Sequence, residues 1–376
     1  MNIELLTLSE LLEVSGEEGN FSVKVRRRPR YVDMGKCIAC GVCAEKCPKK
    51  VPDEYNVGTA KRKAIFIKYG QTVSLKYAID PAACLYMSRG KCRACEKFCP
   101  TGAIMLNDKE QILTFNVGSI ILSPGYRPFD PSVYEFYGYK RLPDVVTSLE
   151  YERLLSAGGP NMGHLMRPSD GREPEKVAWV QCVGSREIHR SGNGYCSSVC
   201  CMYAIKQALV TKEHLAGRES EQTIFCMDIR SPNKEFERYH EDARARNVRF
   251  IRSRPHTIDP GKNDTGVSIT YTTVGGTLVT EEFDMAVLSI GMGASADAKK
   301  LSEITGIELD PYGFARTVAF DPAATSRKGI YAAGGFMAPK AIPRAVTEAS
   351  AAAAEASRSL SAAKGTLTKQ KEYRPE

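Results

Sequence analysis

Four cysteines in the run Cys37-x2-Cys40-x2-Cys43-x3-Cys47-Pro48 carry the strongest chemical signal in the sequence. The two-residue gaps let three thiolates curl around one iron–sulfur cubane, while the fourth, held beside proline, points away toward a second cluster. A matching half follows as Cys84-x7-Cys92-x2-Cys95-x3-Cys99-Pro100, with an enlarged first gap. Cross-ligation then predicts one [4Fe–4S] cluster on Cys37, Cys40, Cys43 and Cys99, and another on Cys47, Cys84, Cys92 and Cys95. Structural zinc also uses CxxC pairs. It takes two separated pairs, however, and not three cysteines at successive two-residue gaps with a repeated Cys-Pro end.

A third set is Cys182-x13-Cys196-x3-Cys200-Cys201. It lies where a strand over residues 177–182 gives way to a helix predicted over 196–215. In a dinucleotide-binding unit this turn would carry G-x-G-x-x-G around a pyrophosphate. Here it carries Cys182-Val183-Gly184-Ser185-Arg186 and then a cysteine-laden helix start. A helix N-terminus favours thiolate and cluster charge. The four thiols fit a third [4Fe–4S] cluster, and spacing leaves a redox dithiol or buried free cysteines open as alternatives. Cys226 falls within a strand and reads as a small core residue. The histidines, His164, His189, His214, His240 and His256, form no ligand or triad spacing, and no catalytic side chain is assigned.

Thirteen cysteines in 376 residues without a secretory signal call for metal in place of disulfides, because a reducing compartment keeps thiols free. The opening MNIELLTLSELLEV has no basic n-region, apolar h-region or cleavage site. No run approaches the roughly 18 apolar residues of a membrane helix. A cytoplasmic protein with no membrane span is expected. A composition of 43% apolar and 26% charged residues is that of an ordinary globular protein. The length suits two or three domains at roughly 100–200 residues each. A net charge of +8 raises the question of a nucleic-acid partner. Each cubane with four thiolates carries about −2, so three clusters would bring the balance to roughly +2. The basic residues are dispersed apart from Arg26-Arg27-Arg28 and Lys61-Arg62-Lys63. They read as solvated surface, and no nucleic-acid partner is expected.

The elements that must position these thiols follow from pattern. Two short strands, at 3–6 and 21–25, are joined by a turn over 15–20 and must belong to a sheet completed elsewhere. Residues 33–110 lack long periodic segments and suit a small module organised around metal. Residues 115–125 form a buried strand ending in a tight turn. From residue 176, strands at 177–182, 223–227, 248–251 and 283–290 alternate with helices at 196–215 and 233–246. A hairpin spans 267–280, and a strand at 329–333 leads into an Ala-rich helix at 343–360. This alternation argues for an α/β fold with parallel sheets.

Ile120-Ile121-Leu122-Ser123-Pro124-Gly125 and Val287-Leu288-Ser289-Ile290-Gly291 look alike. Each resembles the strand and turn that close one half of a disulfide-reductase-like flavoprotein. Gly329-Ile330-Tyr331-Ala332-Ala333-Gly334-Gly335 resembles the strand that holds the ribityl chain in such proteins, with Gly335 where an acidic residue is usual. The helix from Pro343 would aim its N-terminus at the flavin ring. No G-x-G-x-x-G precedes the N-terminal strands, so this sequence enters a flavin unit without its ADP-binding part.

Further stretches sharpen the resemblance: Val23-Lys24-Val25-Arg26-Arg27-Arg28-Pro29-Arg30-Tyr31-Val32-Asp33, Gly58-Thr59-Ala60-Lys61-Arg62-Lys63-Ala64-Ile65, and Ser123-Pro124-Gly125-Tyr126-Arg127-Pro128-Phe129-Asp130. Most specific is Gln181-Cys182-Val183-Gly184-Ser185-Arg186 followed by Tyr195-Cys196-Ser197-Ser198-Val199-Cys200-Cys201-Met202-Tyr203-Ala204-Ile205-Lys206, with Pro339-Lys340-Ala341-Ile342-Pro343 further on. Together these resemble the A-type subunits of heterodisulfide reductase and their bacterial relatives.

The resemblance implies a thioredoxin-reductase-like FAD/NAD(P)-type two-domain α/β fold with an inserted two-cluster ferredoxin domain. It also implies a third cluster on Cys182, Cys196, Cys200 and Cys201, and FAD held near Ser123, Pro124, Gly125, Gly334, Gly335, Lys340 and Pro343. The domains expected are N-terminal strands of a split FAD domain at 1–32 and the ferredoxin insertion at 33–110. A return and linker at 111–175 precedes a second dinucleotide-type domain with the third cluster at 176–282. The closing flavin part spans 283–363, and a disordered tail 364–376. The function implied is that of an FAD/iron–sulfur electron-transfer subunit of an oxidoreductase complex, with bifurcation of electron pairs as one possible mode. Its partners would be other redox subunits and a ferredoxin or hydride-derived electron donor. A flavin-free iron–sulfur module, or a quinone-linked relative, is the alternative.

Overall fold

A computed structural model describes residues 3–262 and 265–363. The tail expected at 364–376 lies outside the described residues. The N-terminal strand runs over Ser9–Glu17, not 3–6, and turns through Glu18 and Gly19 into Asn20–Arg27. Pairing of Glu17 with Asn20 makes the turn two residues long, and Gly19 takes the positive φ (+86°) such a turn needs. That register draws the residues next to the turn into the strand, leaving 3–6 outside it. The sheet is completed by Gln111–Val117, antiparallel to Asn20–Arg27 from Phe21–Val117 to Arg27–Gln111. The chain thus leaves for the cysteine-dense module from one strand and returns on its neighbour, which is the geometry of an insertion.

The module itself has little regular structure. Three short helices, Val42–Glu45, Leu85–Arg89 and Ala94–Lys97, and two small hairpins surround a modest core of Val32, Ile65, Ile79, Ala103, Ile104 and Leu106. Cysteines pack into the same core, so sulfur and apolar carbon share the interior.

Five parallel strands form the main sheet in the order Val145–Thr147, Met285–Ile290, Lys176–Val183, Glu221–Cys226 and Arg249–Arg252. The helices Ser148–Leu155, Cys200–His214 and Phe236–Ala245 cover one face, where Trp179, Tyr151 and Ile205 are buried. The other face packs on the antiparallel strands Thr257–Pro260, Val267–Thr272 and Leu278–Phe283. Two domain boundaries therefore move. The strand at 283–290, expected in the closing flavin part, spans Met285–Ile290 and lies between two strands of this sheet. Its wholly buried, unalternating sequence is what a strand covered on both faces requires. The stretch expected as linker likewise supplies an edge strand, Val145–Thr147, and a capped helix.

The second assembly is built from distant segments. Ile120–Leu122 pairs in parallel with Ile330–Ala332, and the N-terminal strands pack on the pair through Phe21, Leu122, Ile330 and Phe336. The residues expected to form one strand over 115–125 are two strands, Gln111–Val117 and Ile120–Leu122, in different sheets. The helix Ile342–Ser359 packs over this assembly through Ala352 and Ala356. The two look-alike strand ends leave different sheets. The strands after them, Tyr126–Pro128 and Met292–Ala294, then pair with each other in an antiparallel ribbon.

Candidate functional site: three thiol sets and a cleft

In the inserted module the thiols gather around two cavities. Cys37, Cys40, Cys43 and Cys99 line one cavity with Val32, Tyr77 and Ile104. Cys47, Cys84, Cys92 and Cys95 line another with Pro48, Ile65 and Ile79. Left-handed backbone at Ala39 (φ 58°) and Cys92 (φ 84°) lets the short loops wrap inward. Burial, and then the neighbouring thiols, push Cys43 up to about 12 and Cys95 up to about 11, each moderated by one backbone N–H. Cys99 behaves differently: burial raises it, but hydrogen bonds from the Ala103 N–H and from Thr101 outweigh that and lower it. Ligation by the buried thiols must therefore release protons. Among the described residues, no group of three or more His, Cys, Asp or Glu side chains converges closely enough for a single metal ion.

The third set gathers around the C-terminal end of the central strand Lys176–Val183. The strand is irregular between Val180 and Val183, and Cys182 sits there with φ 60°. The helix begins at Cys200, not at 196. Ser198 adopts φ 60°, which interrupts helical geometry, and Ser197 is tied elsewhere. The Ser197 hydroxyl accepts from the Met292 N–H at 2.9 Å and contacts the Ser185 hydroxyl at 2.6 Å. Cys196 therefore lies on a loop, while Cys200 and Cys201 open the helix. Burial pushes the Cys200 thiol up, and the charges of Cys182, Cys201 and Cys196 add to the effect, opposed by the nearby Tyr203 hydroxyl. Cys201 is pushed up to about 11 by burial first and by Cys182 and Cys196. The Arg230 and Ser198 N–H groups donate to Cys201 and Cys196, each at 3.4 Å. Arg186, ion-paired with Asp228, approaches the Cys182 sulfur at 4.0 Å. Cys226 is buried at the end of Glu221–Cys226 and senses the Cys201 and Cys182 charges.

Two local devices fix this arrangement, and each gives an expected result. A Cβ on Gly291 would lie 2.7 Å from Ser197 Oγ and closer still to Ser185 Oγ. Gly291→Ala should cost about 1–3 kcal/mol by overpacking and lower iron retained by the third set, read by urea denaturation and iron analysis. Unchanged stability with full iron would sink that account. Glu187 organises the loop to Cys196, accepting from the Arg190 and Ser191 N–H groups at 3.0 and 2.8 Å, from the His189 N–H, and from the Tyr134 hydroxyl at 3.0 Å. Burial raises this carboxyl, but those hydrogen bonds prevail and hold it at about 2. A carboxyl lowered in the folded state stabilises fully above its ordinary value of 4.5 and loses that contribution as pH falls toward 2. Glu187→Gln should thus lower the melting temperature at pH 7, with the gap from the unsubstituted chain narrowing below about pH 4.5. A gap constant with pH would argue against it.

The residues expected around FAD meet at one place. Ala333 N–H donates to the Leu122 carbonyl at 3.1 Å, and the position of a Cβ on Gly335 would touch Tyr126 and Gly125. Ser123, Pro124, Gly125, Gly334 and Gly335 therefore emerge side by side from the ends of two parallel strands, where open α/β sheets bind ligands. A cleft beside them is walled by Tyr126, Pro128, Lys340 and Ile342 on one side and by Val199, Tyr203, Lys206 and Gln207 on the other. Pro343 stands in the first turn of the helix Ile342–Ser359, whose N-cap residue, Ala341, makes no side-chain capping bond. Lys340 is buried and ion-paired with Glu348, which also accepts from the Gly334 N–H, so it braces the turn. Aromatic and apolar walls, free helix N–H groups and a cation fit the ring end of a flavin. Sequence reading missed the opposite wall. There Lys206 Nζ donates to Glu152 at 2.5 Å, and Gln207 donates to Glu152 and to the Ser148 carbonyl at 3.1 and 2.8 Å. Its signal was the helical stripe Cys200, Tyr203, Gln207. Tyr203 donates to the Ile290 carbonyl at 2.7 Å, and Cys200 approaches that same oxygen at 3.7 Å. The third thiol set and the cleft thus share a wall.

Residues 30–53 match a 4Fe-4S binding domain family. The iron-sulfur A-type subunit of CoB–CoM heterodisulfide reductase from Methanocaldococcus jannaschii is 41% identical over 361 residues, covering 95% of this chain and 54% of that protein. The corresponding A-type subunit of the H(2):CoB-CoM heterodisulfide,ferredoxin reductase from Methanothermobacter thermautotrophicus is 37% identical, covering 94% of this chain and 53% of its own length. The chain thus spans about half the length of the curated relatives it matches. Among solved structures, thioredoxin reductase of Lactococcus lactis is similar at 18% identity and a TM-score of 0.41, over 80% of this chain and 86% of that one. No helix among the described residues is long and apolar enough to cross a membrane.

Proposed function

Since the chain belongs to the family of heterodisulfide reductase A-type subunits, we propose that it is an electron-transfer component of an oxidoreductase complex with three [4Fe–4S] clusters and a flavin. The observation that carries the proposal is the gathering of twelve of the thirteen cysteines into three sets of four, the third sharing a wall with the cleft. On this reading Cys37, Cys40, Cys43 and Cys99 hold one cluster, Cys47, Cys84, Cys92 and Cys95 the second, and Cys182, Cys196, Cys200 and Cys201 the third. The sequence domains then act as an inserted two-cluster wire, a cluster-bearing α/β domain and a split flavin domain.

A bound flavin supplies the exchange between electron pairs and single electrons. The chain's residues do the rest. The turns at Gly125 and Gly334 and the helix start at Ile342 and Pro343 position the ring end, and Lys340 braces that turn through Glu348. Lys206 offers a proton-bearing Nζ on the cleft wall, held there by Glu152. Backbone N–H groups and Arg186 at the third thiol set tune its potential. Relatives' names refer to CoB–CoM heterodisulfide and to ferredoxin. By extension, this chain works with further redox subunits, one reducing a disulfide and another exchanging electrons with a small carrier.

Anaerobic reconstitution with iron, sulfide and FAD tests the proposal. About 12 iron atoms per chain with retained flavin absorbance is the expected result. The same iron without flavin would support a flavin-free module. Zinc retained in preference to iron would overturn both.

A further inference from the structure

The positive charge of the chain is not evenly spread. Residues 33–110 hold fourteen Lys and Arg against eight Asp and Glu, whereas the rest of the chain holds 38 against 36. Six of the eight excess charges thus sit on the inserted module. Two [4Fe–4S] clusters at about −2 each would reduce the module's excess to roughly +2, but they lie inside while the cations lie outside.

The cations concentrate where one thiol set reaches the surface. Cys92 is exposed between exposed Lys91 and Arg93, and Lys49 lines the same cavity as Cys92. Beside them Phe98 is 47% exposed, an unusual position for a large aromatic ring. Lys46 and Lys97 each stand 5.8 Å from its centroid. Phe98 precedes Cys99 and Lys46 precedes Cys47, so this aromatic spot lies at the seam where the two thiol sets exchange ligands. Lys46 pairs with Glu45 and Arg93 with Glu96, in contacts open to solvent. Among the described residues, Lys49, Lys91 and Lys97 have no acidic partner within 4.0 Å.

We propose that the surface of Lys46, Lys49, Lys91, Arg93, Lys97 and Phe98 docks a small acidic one-electron carrier protein. Opposite charge steers the encounter and orients it, while an exposed aromatic ring gives the contact a desolvated centre. One electron leaves the reduced carrier and enters the cluster on Cys47, Cys84, Cys92 and Cys95. No bond forms or breaks, and no proton is needed. The inference rests on the cluster reading above.

The experiment uses the full reconstituted chain and a small acidic two-cluster ferredoxin as the probe. Binding of the oxidised probe is followed by calorimetry, and reduction of the chain's clusters by stopped-flow absorbance. In the unsubstituted chain, affinity and second-order rate should fall steeply between about 20 and 500 mM salt, because screening shortens the reach of charge. A flat salt profile overturns the proposal without recourse to any variant. Lys91→Glu/Lys97→Glu should lower the rate and affinity at least tenfold at low salt, with the difference closing at high salt. Reduction by methyl viologen, a small cation that needs no docking site, should proceed to the same extent in both chains. An unchanged carrier rate in the variant overturns the docking surface, as does binding of RNA or anionic vesicles through these residues in place of the carrier. Failure of viologen to reduce the unsubstituted chain would instead overturn the cluster reading itself.

Discussion

Cys47→Ala is expected to remove the cluster shared with Cys84, Cys92 and Cys95, and to leave the one on Cys37, Cys40 and Cys43 in place. Cys99→Ala should do the reverse. Each variant would retain about 8 iron atoms in place of about 12. The expectation is specific because sequential ligation predicts the opposite pairing, with Cys47 serving its own neighbours. The structure places Cys47 in the cavity with Cys84, Cys92 and Cys95, and Cys99 in the cavity with Cys37, Cys40 and Cys43. Each substitution should also loosen the module, since its apolar core is small and the cysteines are part of it. Iron analysis with paramagnetic resonance of the reduced protein reads the result. Cys84→Ala supplies the decisive comparison: its spectrum should match that of Cys47→Ala and differ from that of Cys37→Ala. If Cys47→Ala matched Cys37→Ala instead, cross-ligation would be wrong.

Arg167→Ala is expected to destabilise the parallel-sheet domain by about 3–5 kcal/mol, the cost of removing one partner from a buried ion pair. Arg167 is buried at 8% exposure, and Asp144 at 2%. The guanidinium donates to Asp144 at 3.2 Å and to Asp284 at 3.1 Å. Asp144 lies just before Val145–Thr147 and accepts from the Ser169 N–H, while Asp284 lies just before Met285–Ile290 and accepts from the Glu175 and Lys176 N–H groups. One side chain therefore gathers the starts of three adjacent parallel strands, and its loss leaves the Asp144 carboxylate buried without its cation. Urea denaturation followed by far-UV dichroism measures the change. Asp144→Leu in the Arg167→Met background should recover part of it, because apolar groups of similar size can replace a buried pair. A loss below about 1 kcal/mol for Arg167→Ala would show that the clamp holds little.

The thiol sets and the broad class of fold were legible along the chain because they depend on short-range rules. Gaps of two residues between cysteines are set by the reach of a few peptide units around a cubane, whatever the surroundings. Strand–helix alternation likewise reports an α/β architecture from local periodicity. The third set was legible in its members but not in its geometry. The helix starts at Cys200 because Ser198 takes a left-handed conformation and Ser197 bonds to Met292, a residue 95 positions away. The return of Gln111–Val117 to the N-terminal hairpin, the passage of Met285–Ile290 into the main sheet and the Lys206–Glu152 pair on the cleft wall were not legible.

Each of these is a choice among distant partners. An apolar run such as Met-Ala-Val-Leu-Ser-Ile fits a central strand in either sheet, and only the closure of the chain, with Asp284 held by Arg167 and the Lys176 N–H at its entrance, selects one. The sequence by itself determined where the cysteines cluster and at what short spacings, because local geometry suffices for that. Tertiary structure decided which strands carry them and what faces the third set across the cleft, because hydrogen-bond pairing and burial between remote segments are decided only when the whole chain has closed.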